Sequence, residues 1–467
     1  MIEPGDATPP PDWRAVTLLV PVLAYQAMRK IGTIYDSDTW WHLASGRLIL
    51  EQKAIPRVDS FSWTAAGEAW QPNGWLSDAF LAVLERLGGL PWVALLRPTF
   101  MVLIGIVVFV LGRRSGAGPW SALAAASFAV FFAEPFVVER PQLFSFVLLP
   151  VVVMTTRSAL RGSNRALIGT FGITALWANL HGVFVVGVGV VGLLALGYAL
   201  DRRTLLTPVM VAGGAAVAGF ASPLLWRGYT NALYVPSVSV TINEWRSLDL
   251  GDSSDWLFLV VPALGILGMV VSRRWGSWEV LLPIIALTVA TALAIRNAPL
   301  AAVIAAPEIA IGLSSLRVDR LRAWAAPRTV PIVVGVWIAG VVVAMQSTNG
   351  FGDLGRPEAG QFPVVAAEEI PAGCRLLNEY ADGGYLIATR WPEVHVSQDG
   401  RNDLYGSERI ERQRALLEGD SLVELEAFGI DCVLAETSRP LANALQASDR
   451  WSLLAMDQAG SLFVASP

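Results

Sequence analysis

The chain has 467 residues, of which 54% are hydrophobic and only 16% are charged, and its mean hydropathy is +0.51. This composition excludes a soluble protein of this size and predicts a polytopic membrane protein. The net charge of −5 also argues against nucleic acid as a partner, because nucleic-acid-binding domains are usually basic.

Eleven stretches are apolar enough to be membrane spans, since a helix needs about 20 apolar residues to cross a bilayer and fewer where protein encloses it. The segment before the first stretch lacks the basic region and cleavage site of a signal peptide, so we expect the first span to remain as an anchor. A break at Asn179 to Gly182 divides an apolar stretch that is too long for one crossing. The predicted spans are 15–34, 92–112, 119–134, 141–157, 166–179, 182–200, 205–221, 256–272, 278–296, 299–315 and 329–346.

Arginine clusters follow alternate spans, at 113–114, 157–165, 202–203, 273–274 and 317–328. The positive-inside rule predicts that these loops are cytoplasmic. The break at Asn179 is required by this alternation, because without it Arg165 and Arg203 would lie on opposite sides of the membrane. We therefore expect a multi-pass protein of the bacterial inner membrane, with a cytoplasmic amino terminus and everything after Met345 outside.

The first external loop, residues 36–91, is long and holds two amphipathic stretches, Thr39 to Leu50 and Trp75 to Leu87. We expect both to form helices that lie on the membrane surface. The loop opens with Asp36 and Asp38 beside two indoles and an imidazole, which is a candidate divalent-cation or general-base site with an aromatic wall. A purely structural role is the alternative, because Trp is enriched at membrane interfaces for packing reasons alone.

After Ser347 the composition becomes that of a soluble protein, and strand-like runs alternate with helical patterns. The sequence thus predicts a membrane domain over 1–346 and a small external α/β domain over 347–467. The predicted strands are Cys374 to Leu377, Val394 to Ser397, Asp431 to Ala435, Trp451 to Met456 and Ser461 to Val464, and the predicted helices lie near 411–417, 422–428 and 441–447.

The two cysteines of the chain, Cys374 and Cys432, match no metal-binding or redox spacing. We interpret them as buried thiols, or as a disulfide if their domain lies outside the cytoplasm. Two Asp-Gly loops, 382–385 and 399–403, stand where an α/β domain places binding groups. They are equally well explained as glycine turns capped by aspartate.

Four short motifs support a resemblance to known proteins. The chain resembles the GT-C superfamily of integral-membrane glycosyltransferases in its many helices, its aspartate at the start of a long first external loop with surface helices, and its external carboxy-terminal domain. It is also similar to uncharacterised bacterial membrane proteins that share the motifs. These are Asp-x-Asp-x-Trp-Trp-His-Leu-x-x-Gly at 36–46, Arg-Pro-Gln at 140–142, Asn-x-His-Gly at 179–182 and Asp-Gly-Arg-x-Asp-x-Tyr at 399–405.

The resemblance implies transfer of a sugar from a polyprenyl-phosphate or polyprenyl-diphosphate donor to an extracytoplasmic glycan, lipid or protein. It assigns Asp38 as the catalytic aspartate, which acts as the base on the acceptor or holds a metal ion such as Mg²⁺ or Mn²⁺. Asp36 matches the acidic partner of oligosaccharyltransferase-like members. Thr39 stands where mannosyltransferase-like members have a glutamate, which leaves the dependence on a metal open.

The reaction itself requires two kinds of group. Sugar transfer needs a base for the acceptor hydroxyl and a positive charge for the departing phosphate. Asp38 can supply the base. The planar fork of arginine matches phosphate oxygens, which favours Arg296 and then Arg140, although Arg296 is also explained as a residue that snorkels to the interface. The other residues predicted to touch substrate or donor are Trp41, His42, Glu139, His181 and Glu244. Each has an ordinary alternative, as a solvated glutamate or as a histidine or indole packed at the interface.

A transporter or a lipid-handling scaffold is the rival interpretation, in which Asp36 and Asp38 bind an ion or a head group without chemistry. The sequence argues against it in two ways. It has no evident repeated halves, and we expect no charged residue deep within a span.

Overall fold

The computed structural model describes residues 22–238, 243–316 and 352–466. The predicted span 329–346 lies outside these residues. Of the predicted span 15–34, only the part from residue 22 is described, and residues 22–28 are helical.

Two helices of the first external loop confirm that the predicted segments are helical, whereas their place on the membrane surface stays a prediction. They are α1 (Ser37–Gln52) and α2 (Trp75–Gly88). Asp36 caps α1, because its side chain accepts a hydrogen bond from the backbone N–H of Thr39. The two helices cross closely at Gly46, where a Cβ would lie 1.9 Å from the carbonyl oxygen of Asp78. Only glycine fits there, so the contact fixes α1 against α2.

The nine predicted spans between residues 92 and 315 are all helical, and α10 is a further helix that lies outside the predicted spans. The helices are α3 (Leu90–Ala94), α4 (Leu96–Arg114), α5 (Pro119–Ala133), α6 (Gln142–Leu160), α7 (Asn164–Leu180), α8 (Phe184–Arg202), α9 (Leu206–Ala218), α10 (Trp226–Val238), α11 (Trp256–Val271), α12 (Trp278–Leu293) and α13 (Ala298–Ser315). The chain breaks between α7 and α8 at residues 181–183, as predicted.

Four helical segments are long and apolar enough to cross a membrane. They are Leu90–Arg114, Gln142–Leu160, Phe184–Arg202 and Ile295–Ser315, and shorter apolar helices lie at Leu206–Ala218, Trp256–Val271 and Trp278–Leu293. The class of helical membrane protein is therefore confirmed. The count of eleven spans stays a prediction.

The arginine-rich turns lie together at one end of the helical bundle. Arg161 Nη2 lies 3.1 Å from Glu279 Oε1, and Asp201 accepts a hydrogen bond of 3.0 Å from the backbone N–H of Trp278. The turns that follow α6, α8 and α11 are thus neighbours, as expected of loops on one side of a membrane.

Buried carboxylates inside the bundle correct the expectation that no span carries a deeply placed charge. Glu308 in α13 is fully buried, and its Oε2 lies 3.2 Å from Arg274 Nη1. Glu279 in α12 is also buried and pairs with Arg161. A buried charge needs such a partner, since an unpaired one is costly in an apolar environment. This observation removes one of the two sequence arguments against a transporter.

The carboxy-terminal part is a small four-stranded sheet with helices, as predicted. The strands β1 (Leu376–Asn378), β2 (Cys432–Ala435), β3 (Trp451–Met456) and β4 (Ser461–Ala465) lie in the order β1-β2-β4-β3. β1 is parallel to β2, and β4 is antiparallel to both of its neighbours. The helices are α14 (Val364–Glu368), α15 (Gly383–Arg390), α16 (Asn402–Glu418), α17 (Leu422–Ala427) and α18 (Pro440–Gln446).

The predicted strand at Val394 to Ser397 is wrong. Its segment forms isolated bridges on two sides. The N–H of Trp63 donates to the Val396 carbonyl at 3.0 Å, and His395 bridges Arg375, just before β1. Val394 and Val396 are fully buried. The apolar alternation therefore reflects burial between the first external loop and the edge of the sheet.

Cys374 and Cys432 form a disulfide between the start of β1 and β2, with their Cα atoms 6.0 Å apart. This outcome decides between the two alternatives that the sequence left open. Disulfides persist in oxidising compartments, so the bond agrees with the predicted external position of this part.

The carboxy-terminal part packs directly on the first external loop. The ring of Trp40 in α1 meets Phe362 and Tyr385 edge-on, with centroid distances of 5.6 and 5.1 Å. Both parts therefore contribute to one continuous apolar core. The division into domains at residue 346 stays a prediction.

Arg401 forms a second connection between the two parts. Its fully buried guanidinium donates from Nη1 to Asp59 Oδ1 at 2.5 Å and from Nε to Asp399 Oδ1 at 2.7 Å. Removing one partner of such a buried group typically costs about 3–5 kcal/mol. The network holds the loop at 399–403 firmly against the first external loop.

The orientation in the membrane can be tested with single cysteines placed in a variant that retains the native disulfide. We expect cysteines at positions 63 and 244 to react with an impermeant maleimide added to intact cells, and cysteines at positions 113, 202 and 273 to react only after lysis. The reason is the alternation of arginine-rich loops. External labelling at position 202 would contradict the predicted topology.

Candidate functional site

Arg140 joins the two aspartates that open the first external loop. Its Nε donates to Asp36 Oδ2 at 2.6 Å, its Nη2 also donates to Asp36, and its Nη1 donates to Asp38 Oδ2 at 2.9 Å. Glu244 Oε1 lies 3.3 Å from Nη2. One guanidinium thus holds three carboxylates, using the planar fork that makes arginine suited to such contacts.

Asp36 and Asp38 differ in their access to solvent. The side chain of Asp36 is 5% exposed, and besides Arg140 it is occupied by the backbone N–H and the hydroxyl of Thr39. The side chain of Asp38 is 22% exposed and accepts a hydrogen bond of 3.2 Å from Trp41 Nε1. Burial raises the pKa of the Asp38 carboxyl, and the Asp36 charge adds to this effect while Arg140 opposes it. Asp38 is therefore the more accessible of the two to a ligand.

A cavity of about 510 Å³ opens beside Asp38. Of the residues predicted for the site, those that line it are Asp38, Trp41, His42, Arg140, His181, Glu244 and Arg296. These side chains come from five separate loops, all predicted to be external, which the fold brings together at the end of the bundle opposite the arginine-rich turns.

Two of the predicted residues do not line the cavity. Asp36 lies behind Arg140, and the prediction that Glu139 touches substrate is not supported by its position. Glu139 is fully buried and lies 2.8 Å from Arg97 Nε, while the Arg97 guanidinium also stacks on Tyr35 at 4.8 Å. Burial raises the pKa of Glu139 to about 7. Glu139 thus anchors the segment that carries Arg140.

Arg296 also lines the cavity and, unlike Arg140, forms no salt bridge with a carboxylate of the described residues. Its Cζ lies 4.1 Å from the ring centroid of Trp245, a distance typical of cation–π contacts. Among the residues that the structure describes, none pairs with Arg296 within salt-bridge distance, in contrast to Arg140. The guanidinium fork of Arg296 is therefore held by stacking and keeps its donors for a ligand.

The two histidines of the cavity are each fixed through Nδ1. His42 Nδ1 lies 2.7 Å from Asp78 Oδ1, and its ring stacks on Trp41 at 3.5 Å. His181 Nδ1 lies 2.7 Å from Ser145 Oγ. Burial and the nearby Arg296 lower the pKa of the His181 imidazole well below its usual range, so this ring is neutral at pH 7.

The carboxy-terminal part also contributes to the cavity, through Tyr380, Gly400, Asn402 and Asp403. Gly400 touches Asp38, because a Cβ at this position would lie 1.9 Å from Asp38 Oδ1. Our sequence prediction did not include Tyr380, and it left the loop 399–403, which contains Asn402 and Asp403, as either a binding loop or a capped turn. The Asp-Gly-Arg-x-Asp-x-Tyr motif was the available signal, since Asp399 and Arg401 hold the loop in place and Asp403 reaches the cavity.

Arg140 contacts both oxygens of Asp36 and one oxygen of Asp38, so the guanidinium takes the place between the two carboxylates that a divalent cation would need. One other group has suitable spacing within the described part of the chain: Cys374, Asp431 and Cys432 have ligand atoms within 4.8 Å of one another. Its sulfur atoms are joined in the disulfide, which leaves one carboxylate. A metal ion at Asp36 and Asp38 stays a prediction.

No family model matches the sequence, and no curated protein matches it either. Solved structures of two membrane proteins are nevertheless similar. An oligosaccharyltransferase from Archaeoglobus fulgidus, crystallised with a tethered acceptor peptide that contains the NVT sequon, is 11% identical and has a TM-score of 0.57 over 91% of this chain and 69% of its own. ArnT from Cupriavidus metallidurans in the apo state is 17% identical, with a TM-score of 0.57 over 97% of this chain and 99% of its own.

ArnT bound to undecaprenyl phosphate is also similar, with 15% identity and a TM-score of 0.53 over the same shares of the two chains. At such low identities the likeness concerns the fold. Both proteins are GT-C glycosyltransferases. The chain therefore has the fold of the GT-C membrane glycosyltransferases, as the resemblance of its sequence predicted.

Proposed function

We propose that the protein is a membrane glycosyltransferase that moves a sugar from a polyprenyl-phosphate-linked donor to an extracytoplasmic acceptor. The observation that carries this proposal is the joint presence in one cavity of a GT-C fold of an accessible carboxylate, Asp38, and a guanidinium, Arg296, that forms no salt bridge with the described residues. A base and a phosphate-binding cation are the two groups that this reaction requires.

In the proposed reaction Asp38 accepts the proton of the acceptor hydroxyl as that oxygen bonds to the anomeric carbon. The bond between the anomeric carbon and the phosphate oxygen breaks, and polyprenyl phosphate leaves with the electron pair. Arg140 keeps Asp38 ionised through the contact of 2.9 Å, whereas the enclosed position keeps the carboxylate basic. Trp41 orients the carboxylate through Oδ1.

Arg296 receives the departing phosphate in this proposal, because a bidentate guanidinium stabilises the charge that develops on the phosphate oxygens. The neutral ring of His181 adds a hydrogen-bonding group without a second charge. Support for a lipid phosphate comes from ArnT of the same fold, which binds undecaprenyl phosphate. The apolar wall of the cavity formed by Val183, Val185 and Val186 suits the first isoprene units.

The experiment that tests the proposal is transfer by the protein purified in detergent. Polyprenyl phosphates that carry radiolabelled hexoses or pentoses are supplied, and release of label to water or to an acceptor is followed while binding of the lipid is measured separately. Release with at least one donor is the expected result. Binding of lipid phosphate without release from any donor would favour the rival transporter or scaffold.

Chelation is expected to leave the turnover unchanged. No step of the proposed reaction uses a metal ion, because Arg140 supplies the positive charge between Asp36 and Asp38. The measurement compares sugar release before and after dialysis against EDTA, with Mg²⁺ or Mn²⁺ added back to one sample. If EDTA abolished sugar release and Mn²⁺ restored it, a cation would have to replace Arg140 between the two aspartates during the reaction.

A further inference from the structure

A second, smaller cavity of about 280 Å³ adjoins the first. Its walls come from the strand-like segment around Trp70 and from the helix α10. The lining combines aromatic rings with hydrogen-bonding groups: Trp70, Trp226 and Tyr234 together with Gln71, Arg227, Thr230, Asn231 and Asp403. Nothing in the proposed donor chemistry uses this cavity.

The two cavities meet at three shared residues, Trp70, Asn231 and Asp403. A short polar chain lines the junction: Asn231 Nδ2 donates to Asn73 Oδ1 at 2.8 Å, and Asn73 Nδ2 lies 3.4 Å from Asp403 Oδ2. Gly400, three residues before Asp403, touches Asp38. The junction at Asp403 therefore leads from the second cavity into the cavity that Asp38 lines.

We propose that the second cavity is an acceptor subsite that binds a carbohydrate, with the acceptor hydroxyl directed through the junction to Asp38. This inference rests on the proposed function and adds the class of the acceptor. The exposed ring of Trp226 suits the apolar C–H face of a sugar ring, and the amides and the carboxylate suit its hydroxyl groups.

The lining favours a sugar over a lipid acceptor. A lipid chain would require an apolar wall, whereas five of the lining side chains, besides the aromatic ones, carry hydrogen-bonding groups. Burial raises the pKa of Asp403 to about 6, which leaves the carboxyl mainly ionised at pH 7 and able to accept hydrogen bonds from hydroxyls. Asp403 lies at the junction, where an acceptor sugar enters the first cavity.

Binding is tested first, on the full-length protein in detergent. The probes are an array of short oligosaccharides built from hexoses, pentoses and N-acetylhexosamines, and a set of acetylated tripeptides that contain Asn, Ser or Thr. We expect binding to a subset of the oligosaccharides. Binding only to the tripeptides, or to neither set, would overturn the proposal of a carbohydrate acceptor.

The variant Trp226→Ala then tests the location. Trp226 is 59% exposed, so its truncation should leave the fold intact. With an oligosaccharide identified on the array, we expect the acceptor KM to rise about tenfold through the loss of one stacking face, while kcat at saturating acceptor stays close to that of the wild type. Trp226→Phe retains an aromatic ring and should therefore keep most of the affinity for the acceptor. If Trp226 instead anchored the protein to the membrane through its indole N–H, phenylalanine would not replace it.

Trp275→Ala is the matched control, since Trp275 is 69% exposed and lies in the turn after α11, at the arginine-rich end. It should change neither constant. An unchanged acceptor KM in Trp226→Ala would overturn the assignment of the second cavity. Failure of the proposed function is a separate result, because the wild type would then release no sugar from any polyprenyl phosphate, even to water.

Discussion

Replacing Asp38 by asparagine is expected to lower sugar transfer by about 10²-fold or more, which is the scale typical of losing a general base. The substitution keeps the shape of the side chain and an oxygen that can accept the hydrogen bond from Trp41 Nε1. It removes the negative charge and the ability to take a proton. Binding of the donor lipid should persist, because the phosphate is assigned to Arg296.

The surroundings of Asp38 make this variant informative. Arg140 keeps its contacts with Asp36 when Asp38 becomes neutral, so the guanidinium is not left buried without a partner. The fold should therefore survive. The measurement is single-turnover release of labelled sugar at saturating donor, with donor binding followed in parallel. Asp420→Asn, at an exposed position of the carboxy-terminal part, serves as the control.

The pH dependence provides a second readout of the same group. A base must be deprotonated to act, so transfer by the wild type should fall as the pH drops through the pKa of Asp38. Burial raises that pKa, and hence the acidic limb should lie above the range of an ordinary aspartate. The limb should be missing in Asp38→Asn. Turnover left intact by this substitution would mean that another carboxylate is the base.

Two kinds of feature could be predicted from the sequence: residues that are close together in the chain, and the side of the membrane on which each loop lies. Asp36 and Asp38 are close in the chain and stand at the start of α1, so their placement follows from capping preferences. The alternation of arginine clusters predicted which loops share a side, because the cost of moving charge across a bilayer constrains them all. The loops of His181, Glu244 and Arg296 do meet at one cavity.

The partners of individual side chains could not be predicted in this way. Arg140 lies 104 residues from Asp36 in the chain, and its contacts depend on how α6 packs beside α1. Glu139, its neighbour, turns into the protein toward Arg97 although it has the same polarity as a cavity residue. A loop charge has no periodic pattern that tells which way it points.

The contribution of the carboxy-terminal part was harder still to predict. Asp403 and Tyr380 reach the cavity because Arg401 is buried between Asp59 and Asp399, and this network joins residues that are more than 300 positions apart. An Asp-Gly-Arg sequence is also what an ordinary capped turn contains. Only the packing of the domain on the first external loop distinguishes the two interpretations.

Replacing Arg296 by lysine is expected to weaken donor binding and to lower turnover together. Lysine keeps the positive charge but replaces the planar fork with a single point charge, so a phosphate held by two parallel hydrogen bonds loses one of them. It also loses the planar stacking on Trp245, where the guanidinium carbon now lies 4.1 Å from the ring centroid. A hydrogen bond to a charged group contributes about 1.5–3 kcal/mol, which corresponds to roughly 10- to 150-fold in affinity.

This pattern separates Arg296 from Asp38, because the aspartate variant should lose turnover and retain the lipid. The measurements are the dissociation constant for a polyprenyl phosphate without sugar and the release of label from the complete donor. Arg412→Lys is the control, since Arg412 is exposed on α16 and lies outside both cavities. Unchanged lipid affinity in Arg296→Lys would mean that Arg140, and not Arg296, binds the phosphate. Arg140 would then have to contact both Asp38 and the leaving group.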